Sequence, residues 1–426
     1  GIRASRDRTC IVNILLVTDS YPPEIRSASH LMLELAEELN HRGHQVTVIT
    51  TWPEYNLDQD QAQKSFNELE VEGNITVIRV RTLPHHNVNY IVRALAQLLM
   101  PVQFLLKLRK HRIRPDACVV YSPPLPLALV GSWLARKGVR SLLNVQDLFP
   151  QNAIDLGILT NPLQIRFFRA LERYAYRTAD IVTVHSEGNR RMLVAQNPDV
   201  APRLRILHNW VDIDHHSLDE QGVNAPGSQR VAVDFRQKWA IQRKFVAVFA
   251  GVMGPSQYLD LILTIAGRMR AQKDFLFLLV GDGKEKERLQ KLAREQGLDN
   301  VQFEGFVSRD VYPDLLAACS IGLVCLSPQN QTPVVPGKIL GHMAAGLPVA
   351  AFLHTASDGH ALILEAQCGV SANSADIDAC AAALQDLIAR SDAFASIGQS
   401  GKRYATEHFS KQVCVSQLEE MLTSAR

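Results

Sequence analysis

The chain has 426 residues, of which 46% are hydrophobic, 21% charged and 7% aromatic. That apolar content supports extended cores and excludes general disorder, and the length points to two or three domains. With 45 basic against 43 acidic residues the net charge is +2, which excludes a nucleic-acid protein driven by bulk charge.

Strand and helix patterns alternate along the chain. Ile11–Val17 is a short apolar run of the kind buried on both faces of a parallel sheet. A helix follows, with Leu31, Leu35, Ala36 and Leu39 at helical spacing, and stops at Arg42-Gly43. Further strands read at Gln45–Thr50, Ile75–Val80, Ala117–Tyr121, Arg140–Val145, Ile181–Val184 and Arg205–Leu207. This first series is a Rossmann-like sheet over 1–210. A polar, irregular stretch, 211–243, reads as a linker, with Asn224–Gln229 as its loop signal. The second series, 244–408, has strands at Phe245–Ala250, Phe275–Val280, Val301–Phe303, Ile321–Cys325, Pro348–Phe352 and Gly369–Ser371. Its helices include Gln257–Arg270 and Glu285–Gln296. The amphipathic C-terminal segment, 409–426, is expected to pack back on the first domain. The fold class is therefore α/β, with two Rossmann-like domains expected to face a central cleft at the carboxyl ends of their strands.

Seven cysteines (Cys10, Cys118, Cys319, Cys325, Cys368, Cys380 and Cys414) include no C-x-x-C pair. An odd number placed largely in apolar runs reads as reduced, buried thiols in a cytoplasmic compartment. The first ten residues lack the apolar stretch of a signal peptide. The longest apolar stretch, Ala94–Leu108, is interrupted by Gln97, Gln103 and Lys107, and falls short of the roughly 20 residues that span a bilayer.

Several ordered motifs carry chemistry. They are Thr18-Asp-Ser-Tyr-Pro-Pro-Glu24, His41–Val48, Gln146-Asp-Leu-Phe-Pro150 and His208-Asn-Trp-Val-Asp212 in the first half. In the second half they are Phe249–Gly254, Leu279–Lys284, Val301–Phe306, Val335–Lys338 and Met343–Val349. Together they resemble family 4 glycosyltransferases of the GT-B fold, and in particular bacterial exopolysaccharide and O-antigen enzymes of the colanic-acid type. Each motif alone is weak, and the ordered series is strong.

The resemblance implies a donor site in the second half. Gly251 and Gly254 would let a pyrophosphate approach backbone N–H groups. Gly281 and Asp282 sit on a glycine-rich turn that is either a tight turn alone or a donor contact. Glu304-Gly-Phe306-Val307 matches the loop that holds the nucleotide base. Pro336-Gly337-Lys338 matches the diphosphate loop, where Lys338 supplies a full positive charge at a helix start. Two glutamates expected eight residues apart are replaced by Pro333 and Gly341, so the usual ribose carboxylate is missing. Val252 and Tyr258 stand near places where the family often carries Arg and Lys. In the first half Asp147 is either a turn residue or a contact to the donor sugar or acceptor, and it is assigned with Lys338 as catalytic. His185 is a second candidate. Glu24, Arg26, Ser27 and Ser29 form the acceptor or phosphate loop after the first strand. Asp212-Ile-Asp214 and Asp376-Ile-Asp378 read as surface turns, and no metal or cofactor is implied beyond the nucleotide-sugar co-substrate.

Between Gly73 and Pro115 there is no Asp or Glu but eight Lys or Arg: Arg79, Arg81, Arg93, Lys107, Arg109, Lys110, Arg112 and Arg114. With the apolar stretch Ile91–Leu106 between them, this segment is either a packed helix with a basic end or a helix docked on anionic lipid. The expectation is a cytoplasmic, retaining glycosyltransferase, peripheral on the inner face of the plasma membrane. It would move a hexosyl or N-acetylhexosaminyl group from a UDP-sugar to a lipid-linked or polysaccharide acceptor. Its rivals are another GT-B activity, such as an epimerase or a phosphorylase, and a non-catalytic binding subunit.

Overall fold

Short runs of Val, Ile and Leu that are apolar on both faces can be satisfied only inside a covered parallel sheet. The computed structural model describes residues 12–54, 65–84, 90–155, 157–216 and 232–424. Cys10 and the Asn224–Gln229 loop lie outside the described residues. Contacts divide the chain into two units, 1–208 with 411–426, and 209–410.

The first unit holds β1 (Asn13–Val17), β2 (Gln45–Thr51), β3 (Leu69–Glu72), β4 (Ile75–Val80), β5 (Ala117–Ser122), β6 (Arg140–Val145), β7 (Ile181–Val184) and β8 (Leu204–Ile206). They form one sheet in the order β3-β4-β2-β1-β5-β6-β7-β8. The neighbours are parallel except β3, which runs antiparallel to β4. Helices cover the sheet, and Leu15, Val17, Ile49, Val120 and Val182 lie in its core with Met100 and Phe104.

The second unit holds β9 (Phe245–Ala250), β10 (Phe275–Val280), β11 (Val301–Glu304), β12 (Ile321–Cys325), β13 (Val349–Leu353) and β14 (Gly369–Asn373). These are parallel in the order β11-β10-β9-β12-β13-β14. The order turns back beside β9, and in open α/β sheets such switch points are where ligands bind, outside the strand carboxyl ends.

Three sequence expectations change. The expected helix Gln257–Arg270 is a 3₁₀ turn, Pro255–Gln257, followed by a helix only over Asp260–Arg268. Tyr258 between them is left-handed at φ 49°, which interrupts the helical path. The described part of the 211–243 stretch belongs to the second unit, where Phe235 and Ile241 are buried with Val246 and Leu278. The basic run is not unopposed. Arg79 is 2% exposed and donates to Glu70 at 2.5 Å and Glu72 at 2.6 Å, both on β3. Glu68 likewise meets Lys107 at 2.6 Å and Lys110 at 2.8 Å. These bonds hold the Glu68 carboxyl down at about 2. The acids precede the run in sequence and fold back onto it through the antiparallel strand.

The described cysteines are free thiols, and Cys118, Cys325, Cys368, Cys380 and Cys414 are buried. Burial pushes the Cys118, Cys368 and Cys414 thiols up to about 12, so they remain protonated and unreactive.

The C-terminal helix Lys411–Thr423 lies on the first unit, burying Cys414, Val415, Leu418 and Leu422. Arg42 donates to Glu419 at 2.9 Å, and His44 Nε2 lies 2.7 Å from the other oxygen. The Val12 N–H donates to His44 Nδ1, so Nε2 carries the ring proton and donates to Glu419. Burial raises the Glu419 carboxyl, but the His44 and Arg42 bonds outweigh it and hold the group below its ordinary range. A depressed carboxyl stabilises above its unfolded pKa, and the benefit is lost as pH falls through the folded value. Glu419→Ala should therefore loosen the helix by about 1–3 kcal/mol at pH 7, the cost of stranding buried partners. Hydrogen exchange over 411–423 is expected to accelerate, with a smaller difference from the parent at low pH.

Candidate functional site

In the second unit the loops after β9 and β10 meet the helix Gly337–Ala344. Gly281, at φ +133°, lies so close to the Gly251 carbonyl that a Cβ would overlap it. Gly251, at φ +149°, leaves the space that Lys338 occupies, and a Cβ there would stand 2.8 Å from Lys338 Cε. Both glycines are thus required by close approach as well as by backbone angle.

Lys338 runs over the Phe249 ring, with Nζ 5.1 Å from its centroid. It donates to Gln257 Oε1 at 3.0 Å, and no carboxylate of the described residues lies within ion-pair distance. Desolvation lowers the ammonium to about 8. A cation so placed has unused capacity for an anion. Pro336 stands at the N-cap with φ −62° and ψ 127°, so the helix begins at Gly337, one residue later than expected for Pro336 itself. No side chain caps this end, and Gly337 faces open space. Gly341 is half-buried within the same helix.

The remaining donor candidates divide. Gly254 has open space around it and ordinary backbone angles. Asp282 is exposed and pairs with Lys286 at 2.8 Å. The same ammonium donates to the carbonyls of Gly281 at 2.8 Å and Glu304 at 3.1 Å, tying the two loops together. Phe306 is 60% exposed, free of the core and able to stack on a base. Val307 instead packs into the core behind it. Sequence reasoning missed Lys286 and Gln257. The i, i+4 spacing of Asp282 and Lys286 was a usable signal. Gln257 carried none, because the unexpected 3₁₀ turn decides where it points.

In the first unit the strand ends collect Asp19, Arg26, Tyr121 and Asp147. Burial raises the Tyr121 phenol, and the charges of Asp147 and Asp19 raise it further. Asp147 is exposed. Arg26 is held by Asp19 at 3.3 Å and reaches Glu24 at 4.0 Å, so it is not a free cation for phosphate. Glu24 is buried and accepts from Ser20. Ser27 is exposed at the start of the helix Ser27–His41, whose first amides have no side-chain cap. Ser29 is fully buried, and its hydroxyl has no hydrogen-bond partner. The helical period turns it inward from the exposed Ser27. His185 is buried with Nε2 2.9 Å from Asn189 and 3.2 Å from the Gln146 carbonyl, a positioning contact. Asp212 and Asp376 accept from His215 and Ala379 as helix caps, and Asp378 meets Arg268.

Comparison with known proteins agrees with this division. A glycosyl transferase 4-like domain matches residues 28–210, and a glycosyl transferases group 1 domain matches 244–390. WcaI of Escherichia coli K12, named as a colanic acid biosynthesis glycosyl transferase, is 26% identical over 79% of this chain and 82% of its own. A GDP-mannose-dependent alpha-mannosyltransferase of Mycobacterium tuberculosis is 25% identical over 71% of this chain and 72% of its own. The crystal structure of Anabaena Alr3699/HepE, solved with UDP, superposes with a TM-score of 0.69 at 18% identity. It covers 97% of this chain and 100% of its own.

A lysine lowered to about 8 is charged below that pH and neutral above it. Anion binding favours the charged form, so diphosphate affinity should fall as pH rises through 8, with proton uptake on binding near pH 8.5. Calorimetry in buffers of differing ionisation enthalpy measures both. Lys338→Met should bind more weakly and lose the pH dependence.

Proposed function

The chain belongs to the GT-B glycosyltransferases, and from that premise we propose that it transfers a sugar, with retention of anomeric configuration, from a UDP-sugar to a lipid-linked or polysaccharide acceptor. The observation that carries the donor assignment is Lys338, a desolvated cation with no carboxylate of the described residues in ion-pair reach, at a helix start that no side chain caps. Departure of a nucleoside diphosphate develops negative charge, and preorganised N–H groups with an ammonium stabilise it more than they stabilise the ground state. Asp147 is proposed to contact the sugar or acceptor from the first unit. UDP is supported by the ligand of the Anabaena neighbour, and GDP-mannose is a second reading, supported by the name of the mycobacterial relative.

The acceptor reading rests on the helix Tyr90–Lys110. It buries Ala96, Met100, Phe104 and Leu108, and exposes Val92, Leu95, Leu99, Val102 and Leu106 along a second stripe. Arg109 continues that stripe. Trp133 is also exposed, on the helix Ala128–Ala135 that packs against it. An apolar stripe ending in basic groups suits an anionic membrane surface that carries a lipid-linked acceptor. Among the described residues no helix is long and apolar enough to cross a membrane.

A screen of UDP- and GDP-sugars with extracted lipid acceptors tests the activity, with product anomers read by NMR. Lys338→Met is expected to lower kcat/KM by roughly 10²–10³-fold. Gly341→Glu supplies the missing carboxylate and is expected to tighten donor binding if the ribose lacks a partner. Absence of nucleotide-sugar binding by the parent would replace the enzyme reading with a binding subunit.

Because Glu68 already occupies Lys107 and Lys110, the apolar stripe is the better target for the membrane reading. Replacing Leu99, Val102 and Leu106 with Ser should abolish sedimentation with phosphatidylglycerol vesicles while leaving nucleotide binding unchanged. Equal sedimentation of the variant would refute docking through this stripe.

A further inference from the structure

Between β12 and the Gly337–Ala344 helix the chain runs through a stretch with three prolines, Pro328, Pro333 and Pro336, which contribute no N–H. Its early part is tied by the Ser327 N–H to the Ser256 carbonyl at 2.9 Å and by the Asn330 N–H to Ser327 at 3.2 Å. Beyond that, two side chains from the loop after β13 take hold of its carbonyls. His354 Nε2 lies 2.7 Å from the Thr332 carbonyl, and Ser357 Oγ donates to the Val334 carbonyl at 2.6 Å. Both side chains are buried, His354 being 1% exposed and Ser357 5%.

The chemistry at His354 admits one arrangement. A carbonyl can only accept, so Nε2 carries the proton and donates. Nδ1 is then unprotonated, and it is enclosed with no hydrogen-bond partner. A second proton there would be buried without an acceptor. Burial accordingly lowers the His354 pKa, and the ring is neutral at physiological pH. With Nδ1 enclosed, the polar work of the ring is spent on Thr332. The supporting loop is itself braced. The Ser357 N–H donates to the His354 carbonyl at 3.0 Å, and the Gly359 N–H donates to Ser357 Oγ at 3.1 Å. His360 lies 3.0 Å from Ser371 on β14 and 3.3 Å from the His354 carbonyl. At Gly359 a Cβ would meet Leu353 at 2.6 Å and Ile339 of the Lys338 helix at 3.1 Å, so the brace presses directly on that helix.

We propose that His354 and Ser357 are positioning residues for the donor diphosphate, acting through the Thr332 and Val334 carbonyls to set where the chain enters the Lys338 helix. The inference rests on the donor-site reading of that helix. Neither residue needs to touch the ligand. Each fixes the backbone whose first amides and lysine do so, and a displacement of that entry would be felt at the phosphates while leaving the base loop around Phe306 in place.

The test uses the full chain and four probes, UDP, GDP, UMP and GMP, measured by calorimetry. His354→Phe fills the space without a donor, and His354→Gln restores an N–H. Ser357→Ala and Ser357→Thr form the matching pair. His354→Phe and Ser357→Ala are each expected to weaken the bound nucleoside diphosphate by about tenfold, the scale of one lost buried hydrogen bond. The matching monophosphate should change less than twofold, and Gln and Thr should recover most of the loss. A His354→Phe protein that binds the diphosphate as tightly as the parent overturns the inference alone. Equal losses for mono- and diphosphate also overturn it, because they report general damage to the unit. A parent that binds neither diphosphate overturns the donor-site reading itself, and the inference with it.

Discussion

An ammonium held over an aromatic ring, with a carboxamide as its side-chain partner, is the constraint on which the ligand end of the second unit depends. Removing a charge from water without a counter-charge is costly, and the lowered pKa of Lys338 is the signature of that cost. In a merely structural role a nearby carboxylate would relieve it, as Glu68, Glu70 and Glu72 do for the basic groups of the first unit. Among the described residues no carboxylate does so for Lys338, and its side-chain partner is the neutral Gln257. The same site carries uncapped helix amides, which repeat the same demand through their partial charges.

That constraint explains why the surrounding turns are built of glycine. The lysine stem occupies the space where a Gly251 side chain would be, and Gly281 is pressed against the Gly251 carbonyl. Lys286 then closes the arrangement from the other side by gripping two carbonyls, one on each neighbouring loop. Three strand ends are thus locked to one another through backbone contacts. A flexible substitute at any of them would let the cation drift toward solvent, where it would cost less to hold.

Most of the sheet was legible because parallel strands buried on both faces leave a one-dimensional trace. Phe245–Ala250, Phe275–Val280 and Ile321–Cys325 are continuous apolar runs, and their boundaries follow from where the polar residues begin. β3 left no such trace. Its Leu69-Glu-Val-Glu72 sequence is polar and mostly exposed, and it becomes a strand because the two glutamates neutralise Arg79 across the ladder. The packing of the candidate site was legible where the motif itself dictates it, as at Lys338, Gly251 and Gly281. It was illegible where burial decides availability. Ser27 and Ser29 differ by two positions on one helix, which turns one to solvent and the other to the core. Arg26 looks like a phosphate ligand until the fold brings Asp19 to it.

The antiparallel edge also bears on what the first unit can dock against. Neutralising Arg79, Lys107 and Lys110 with acids on β3 and just before it removes much of the positive field that the sequence suggested, so electrostatic attraction alone is a weaker account of a membrane face. What remains is geometric. One stripe of the Tyr90–Lys110 helix is spent on the core through Met100 and Phe104, and a second apolar stripe is exposed. A helix that is apolar on two sides of its circumference but covered on one is stable in water only at the cost of that exposed area. Leu95, Leu99, Val102 and Leu106 gain little for the fold where they stand. Their regular spacing, closing on Arg109, is what contact with a planar apolar phase edged by anionic head groups would require.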